Sequence, residues 1–301
     1  MLQVFGSVVA PTTLLTALLY YFGWARTSSQ AQFLGLDDSV LGYSTQDYLL
    51  RSISAMFLPL GAILLLALVW ASGHVALSRW MAEVSAASAQ PDAVTGPDRR
   101  RPPVVWLTWG LIAIGMALLT LGLLGAVFPR QAHYDLVTPM SFGLGAALTS
   151  YGVFLRRRWL ARPSASSGAA GEARWLSSLT VTLVALVVAL SLFWAVSDYA
   201  GAVGRGRGQQ LVANLARRPS VVVYSPKRLQ FNSPGVRETA LEDPDAAYRF
   251  RYSGLKLLFR SNDKYFLLPV GWSVVDGSTI VLPDTEALRV EFRSSGTRSE
   301  E

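Results

Sequence analysis

The sequence predicts an α-helical membrane bundle of five transmembrane helices, followed by a small antiparallel β domain that is barrel- or sandwich-like. Two observations carry this fold class. Five long runs without Asp, Glu, Lys or Arg lie within residues 1–200, and short strand-like segments follow within residues 201–301. The composition agrees, because 51% of the residues are hydrophobic and only 16% are charged, a balance too apolar for one soluble domain. The 301 residues include no cysteine, which excludes disulfides and thiolate chemistry.

The uncharged runs define the predicted spans. A helix over the last run, Trp175 to Ser197, crosses the ~30 Å hydrocarbon core of a bilayer at ~1.5 Å per residue. We expect the first run to be a retained anchor rather than a cleaved signal peptide, since no basic residue precedes it. All tryptophans except Trp272 lie in the membrane half, most of them near a predicted helix end, as in interfacial aromatic belts. The spans are residues 4–25, 53–76, 104–128, 137–155 and 175–197.

The placement of arginine predicts the orientation. The loops after predicted helices 2 and 4 are rich in arginine, whereas the alternate loops hold few basic residues. Because short cytoplasmic loops collect Lys and Arg, we expect a multi-pass protein of the cell membrane with a cytoplasmic N-terminus and an extracytoplasmic C-terminal domain. Arginines at 205, 207, 217 and 218, just after helix 5, favour the opposite orientation. The two arginine-rich loops hold Arg79, Arg99, Arg100, Arg101, Arg156, Arg157, Arg158, Arg162 and Arg174.

The start of helix 2 has a local signature. The preceding external loop, residues 26–47, is apolar for a solvated segment, so we expect it to fold against the bundle. Ser44 and Asp47 are spaced for a capping box, and Asp47 and Arg51 lie four residues apart, on one helical face. We therefore assign Ser44, Asp47 and Arg51 a structural role at this helix start.

The β domain is predicted to follow a Gly- and Arg-rich linker, GAVGRGRG, at residues 201–208. Its strands are indicated by β-branched runs and by apolar residues at alternate positions. The turn Ser261-Asn262-Asp263 predicts a hairpin, and the tail from residue 294 is expected to be disordered. The predicted strands are residues 220–225, 247–252, 255–260, 264–269, 278–283 and 288–292.

Several chemistries are missing from the sequence. No predicted membrane-core position carries Asp, Glu, Lys or Arg, which argues against proton relays and ion-coupled transport. The two histidines, His74 and His133, are predicted on opposite membrane faces, so we expect no metal centre, and no motif calls for a cofactor. The β domain instead offers basic residues beside aromatics as a candidate partner-binding face, with nucleic acid not expected as the partner outside the membrane. This face comprises Lys227, Arg228, Arg249, Arg251, Lys256 and Arg260.

Three stretches resemble a known group of proteins. They are YFGWAR (21–26), FLGLDDSVLGYSTQDYLLRS (33–52) and YSGLKLLFRSNDKYFLLPVGW (252–272). These stretches resemble uncharacterised multi-pass membrane proteins of high-GC actinobacteria, and the predominance of arginine over lysine fits such an origin. The resemblance implies the membrane location and extends over most of the chain, but it assigns no activity.

The function class predicted from these observations is a non-enzymatic sensor, scaffold or accessory subunit. Its expected partners are the lipid bilayer and another membrane or wall-associated component, and homo-oligomerisation is compatible with the sequence. The alternative is a transporter or channel component, in which Pro59 and Gly61 would mark a broken helix 2. A membrane-bound enzyme is the third reading.

Overall fold

A computed structural model describes residues 2–87, 103–128, 136–160, 169–243, 246–275 and 277–294. His133 and the tail from residue 295, for which disorder was predicted, lie outside the described residues. The described chain forms five α-helices, two 3₁₀ helices (Asp38–Leu41 and Leu215–Arg217) and six β-strands. The helices are α1 (Leu2–Phe33), α2 (Thr45–Ala87), α3 (Pro103–Val127), α4 (Val137–Leu160) and α5 (Ala169–Ala213). The strands are β1 (Ser220–Ser225), β2 (Arg237–Ala240), β3 (Phe250–Ser261), β4 (Lys264–Pro269), β5 (Ile280–Pro283) and β6 (Arg289–Arg293).

Three of the helices are long and apolar enough to cross a membrane. They are α2, α3 and α5, over Thr45–Glu83, Val105–Val127 and Ser178–Ala213. The sequence predicted five spans, and the described residues support three of them. Of the other two helices, α1 ends in the sequence RTSSQAQF, and α4 combines Gly, Ser and Thr with three consecutive arginines. A membrane protein with at least three spans follows from these helices.

Residues 56–199 form one compact unit, in which α3 and α4 meet through glycines. A Cβ on Gly145 would lie 2.7 Å from the carbonyl oxygen of Gly115, and one on Gly122 would lie 2.8 Å from the backbone nitrogen of Phe142. Small residues allow such close approach of two membrane helices. Helix α2 continues through Pro59, so the broken helix that would mark a transporter is not formed there.

Residues 1–55 and 200–301 form the second compact unit. Its six strands lie in one antiparallel sheet with the order β5-β4-β3-β1-β6, and β2 pairs with the first part of β3. The expected barrel or sandwich is thus a single sheet whose described ends, β5 and β6, do not pair. The sheet is curled, since the rings of Tyr265 on β4 and Phe292 on β6 lie 6.0 Å apart although β3 and β1 separate their strands. The curl encloses an inner core of Val221, Val223, Tyr252, Leu255, Leu267, Ile280 and Leu282.

Most strand predictions agree with the structure. β1 and β4 have the predicted bounds, and the hairpin turn lies at the predicted residues. The predicted strands 247–252 and 255–260 are one continuous strand, β3, because Gly254 takes a φ of 83° and lets the chain continue through an irregular pairing. β2 has no counterpart among the predicted strands, since its sequence RETA is fully exposed and lacks apolar alternation.

The outer face of the sheet carries a second core. Leu258, Phe266 and Leu268 pack there against apolar residues that precede helix α2 and against Leu215. The apolar loop before α2 therefore packs on the sheet, and this contact explains its composition. The loop residues of this core are Leu34, Leu36 and Leu41, and Trp272 joins them from the end of β4.

The predicted linker at residues 201–208 is wrong, because these residues continue helix α5. Its glycines face α1: a Cβ on Gly204 would overlap the carbonyl oxygen of Arg26, and one on Gly208 would lie 2.6 Å from Cδ1 of Phe33. Spacings of three and four residues put Gly201, Gly204 and Gly208 on one helical face. The glycines are contact residues between two helices, and they allow the backbones to approach closely.

Candidate interaction surface

The start of α2 has the predicted capping box. The backbone N–H and the hydroxyl of Ser44 both donate to Oδ2 of Asp47, at 2.9 and 2.8 Å, and the backbone N–H of Asp47 donates to Oγ of Ser44 at 3.3 Å. Arg51, however, lies over the ring of Tyr43, with Cζ 4.0 Å from the ring centroid. Hydrogen bonds from Ser44 and, to a smaller extent, the charge of Arg51 hold the pKa of the Asp47 carboxyl below its ordinary value, so this cation–π contact stands beside the predicted pairing. Ser44 and Asp47 thus have the structural geometry expected of them.

The neighbouring 3₁₀ helix is capped in a similar way. The backbone N–H of Ser39 donates to Oδ1 of Asp37 at 2.9 Å. The hydrogen bonds from Ser39, first through its side chain and then through its backbone, hold the pKa of the Asp37 carboxyl below its ordinary value. Burial raises the pKa of Tyr43, with Arg51 opposing this shift. These contacts order the loop whose apolar residues cover the sheet.

Lys256 does not lie on an exposed basic face, although the sequence predicts it there because of its charge. The residue is buried, with 9% of its surface accessible. Its Nζ donates to the carbonyl oxygens of Ala216 and Arg218 and to Oγ of Ser220, at 3.1, 3.0 and 3.1 Å. Carbonyls at the end of a helix lack intrahelical donors. Lys256 therefore ties the end of the 3₁₀ helix Leu215–Arg217 to the sheet.

Two other members of the predicted face are paired with acids. Nε of Arg228 lies 2.7 Å from Oε1 of Glu238. Nη2 of Arg260 lies 2.5 Å from Oδ2 of Asp284 and 3.5 Å from Oδ1 of Asp263. Both arginines remain largely exposed, so their pairs contribute little stability. They nevertheless offer less uncompensated charge to a partner than the sequence predicted.

Arg249 and Arg251 lie on the open part of the outer face, together with residues that were not predicted. Arg251 on β3 is directly opposite Tyr224 on β1, and Tyr224 is directly opposite Arg289 on β6. We call these three residues the arginine–tyrosine row. Their side chains share the outer face, because Val223 and Tyr252, their neighbours along β1 and β3, point into the inner core. Lys227 is exposed at the turn after β1.

The row is held by contacts among its own side chains. Cζ of Arg289 lies 5.8 Å from the ring centroid of Tyr224, and the ring of Tyr248 lies 6.3 Å from the same ring. Glu291 accepts from Tyr224 Oη at 3.4 Å and pairs with Nη2 of Arg289 at 2.8 Å. Nε of Arg251 is buried without a hydrogen-bond partner. Alternation in SVVVYS and LRVEF is the sequence signal that would have placed Tyr224 and Arg289 on this face.

Other chemistry in the described residues is limited. The cavity lined by Thr27, Gln30, Tyr43 and Arg51 has a volume of about 10 Å³, near the size of one water molecule. Within the described ranges, no group of three or more His, Asp or Glu residues is arranged to hold a metal ion. Nδ1 of His74 lies 2.7 Å from Oη of Tyr151 on α4. Neither the cavity nor this pair forms a substrate site.

Comparisons with protein-family models, with curated proteins and with solved structures give no significant match for this chain.

Proposed function

We propose that this protein is a non-enzymatic membrane sensor, scaffold or accessory subunit, whose β domain lies outside the cytoplasm and binds a membrane- or wall-associated partner. One observation supports this proposal above the others. The sheet is attached to α1 and α5 by packed residues, through the second core and the α1–α5 glycine contact. A domain attached in this way presents a fixed surface, whereas a domain on a loose linker does not.

The proposed topology has five spans, with α1 and α4 in the bilayer beside α2, α3 and α5. The arginines that follow the predicted spans 53–76 and 137–155 support a cytoplasmic position for those ends of α2 and α4 and for the N-terminus. An odd number of spans then puts the sheet on the extracytoplasmic side. The arginine–tyrosine row faces the partner, because Tyr and Arg are enriched in interface cores.

Cysteine accessibility tests this proposal directly, since the chain has no cysteine of its own. We expect Glu242→Cys, at an exposed residue after β2, to react with a membrane-impermeant maleimide in intact cells. Ala93→Cys, in the loop after α2, serves as the matched control and should react only after lysis. Labelling of Ala93→Cys alone in intact cells would invert the topology and reject the proposal of an external binding domain.

A further inference from the structure

We infer that strand β6 is a docking edge for an extended, acidic segment of a partner protein, which adds to the sheet as a further strand. This inference rests on the proposed function and names the partner chemistry. Among the described strands, β6 pairs only with β1, so one side of its backbone has no strand partner. Unpaired N–H and C=O groups on an edge strand are a template for another extended chain.

The side chains of β6 define what the added strand must carry. Arg289 and Arg293 lie opposite Tyr224 and Ser220 of β1, and thus share the outer face of the sheet. Both arginines are exposed. Glu291, between them, is the acid of this face and already pairs with Arg289. An added strand with carboxylates across from Arg289 and Arg293 would form two favourable cross-strand pairs.

The inner face of the same edge is apolar. Phe292 leaves 52% of its surface exposed although it belongs to the side of the sheet that lines the inner core. Val290 precedes it on this side and packs on the inner core. An added strand would cover the exposed ring of Phe292 with its own apolar residues. The fitting segment therefore alternates polar and apolar residues, with acids across from Arg289 and Arg293 and an uncharged residue across from Glu291 on the outer face.

A second copy of the protein is a poorer fit. Two β6 strands paired antiparallel about Glu291 would place Arg289 opposite Arg293 and Glu291 opposite Glu291. Like charges directly opposite each other destabilise an antiparallel pair. Charge complementarity therefore favours an acidic partner over self-association through this edge.

Peptide binding to the full chain in detergent micelles tests the inference. The probe is a fluorescent nonapeptide, TVEVTVEVT, whose two Glu residues are spaced like Arg289 and Arg293 and whose central Thr would lie across from Glu291. Its binding is measured by anisotropy against the peptide TVKVTVKVT. We expect the acidic peptide to bind and the basic one not to bind. The double variant Arg289→Glu, Arg293→Glu should weaken binding about tenfold or more, because two pairs change from attraction to repulsion. Arg249→Glu is the matched control, since Arg249 immediately precedes β3, which β1 separates from β6, and should leave binding nearly unchanged.

The contribution of the backbone is tested with the same peptide N-methylated at alternate amides. N-methylation on the amides that face β6 removes the donors of an added strand, so one of the two methylation registers should abolish binding. Equal binding by both methylated peptides, or an equal loss in Arg249→Glu, would reduce the effect to general charge attraction and overturn the inference. Concentration-dependent dimers in sedimentation that Arg289→Glu strengthens, by placing a carboxylate opposite Arg293 of the second copy, would also overturn it, in favour of self-pairing. Cysteine labelling decides the topology independently, so an inward-facing domain that binds the peptide would reject the proposed function alone.

Discussion

Replacing Lys256 by methionine should destabilise the attachment of the sheet to the end of α5. Methionine keeps most of the buried stem but removes the ammonium group that donates to Ala216, Arg218 and Ser220. Hydrogen bonds to a charged group are each worth ~1.5–3 kcal/mol, and buried acceptors left without a donor are costly. Removing the charge also removes the cost of burying it. The net loss should be about 2–4 kcal/mol, less than the sum of three such bonds.

Local opening can be measured without unfolding the membrane helices. Val223 is fully buried, at 0% exposure, in the inner core beside this contact. A Val223→Cys variant of the cysteine-free chain reacts with a maleimide only when this part of the sheet opens. A loss of 2–4 kcal/mol should accelerate labelling about 30- to 700-fold if opening and closing are fast. Lys256→Arg should retain part of the protection, because it keeps a charged donor.

The matched control is Lys227→Met, which removes the same charge at an exposed residue. We expect this control to label at the rate of the Val223→Cys parent. If Lys256→Met also labelled at the parental rate, the ammonium would contribute nothing net to this attachment, and the assignment of Lys256 as a tie between helix and sheet would be wrong.

Three further predictions follow from individual contacts. Gly204→Ala should weaken the α1–α5 contact, because the added methyl group would meet the Arg26 carbonyl. Gly206→Ala adds its methyl group in open space and should raise the free energy of unfolding by up to ~1 kcal/mol. The thermal stability of the two variants in detergent tests this difference. Tyr252→Phe should cost ~1–3 kcal/mol, measured by Val223→Cys protection, since the N–H of Leu229 donates to Tyr252 Oη at 2.7 Å. The pKa of Asp37 is lowered in the folded chain, so its stabilisation is present above the ordinary carboxyl pKa and is lost as pH falls. The protection factors of the amides at residues 37–42, which are corrected for the pH dependence of intrinsic exchange, should therefore fall on acidification, and Asp37→Asn should remove that dependence.

Local sequence patterns predict the structure correctly where residues close in sequence determine it. The capping box of Ser44 and Asp47 involves residues three apart, and both side chains make the expected bonds. Strand β1 was predicted with its observed bounds because its β-branched run occupies the centre of a sheet, between β3 and β6. In both cases the physical cause lies within a few residues of the signal.

Contacts between distant segments account for the predictions that failed. The Gly- and Arg-rich composition of residues 201–208 predicts a linker, since glycine weakens a helix, yet the glycines are where α1 approaches. The charge of Lys256 predicts exposure, because charged residues rarely lie inside a protein, yet its ammonium group donates to a carbonyl forty residues earlier in the chain. The sequence around residues 201–208 does not indicate that α1 packs there, and the sequence around Lys256 does not indicate the end of the 3₁₀ helix. Tertiary packing overrides local propensity at both sites.

The two halves of the outer face have different tasks, and Lys256 lies at the border between them. On one side, Leu258, Phe266 and Leu268 are covered by the protein's own helices and loop. On the other side, the arginine–tyrosine row and the β6 edge keep polar and aromatic groups at the surface. Since Lys256 bonds only to groups of the attachment side and its border, its loss should impair attachment while leaving the chemistry of the row unchanged. Attachment of the sheet to α1 and α5 and the proposed binding of a partner can therefore be altered separately, although a single sheet carries both.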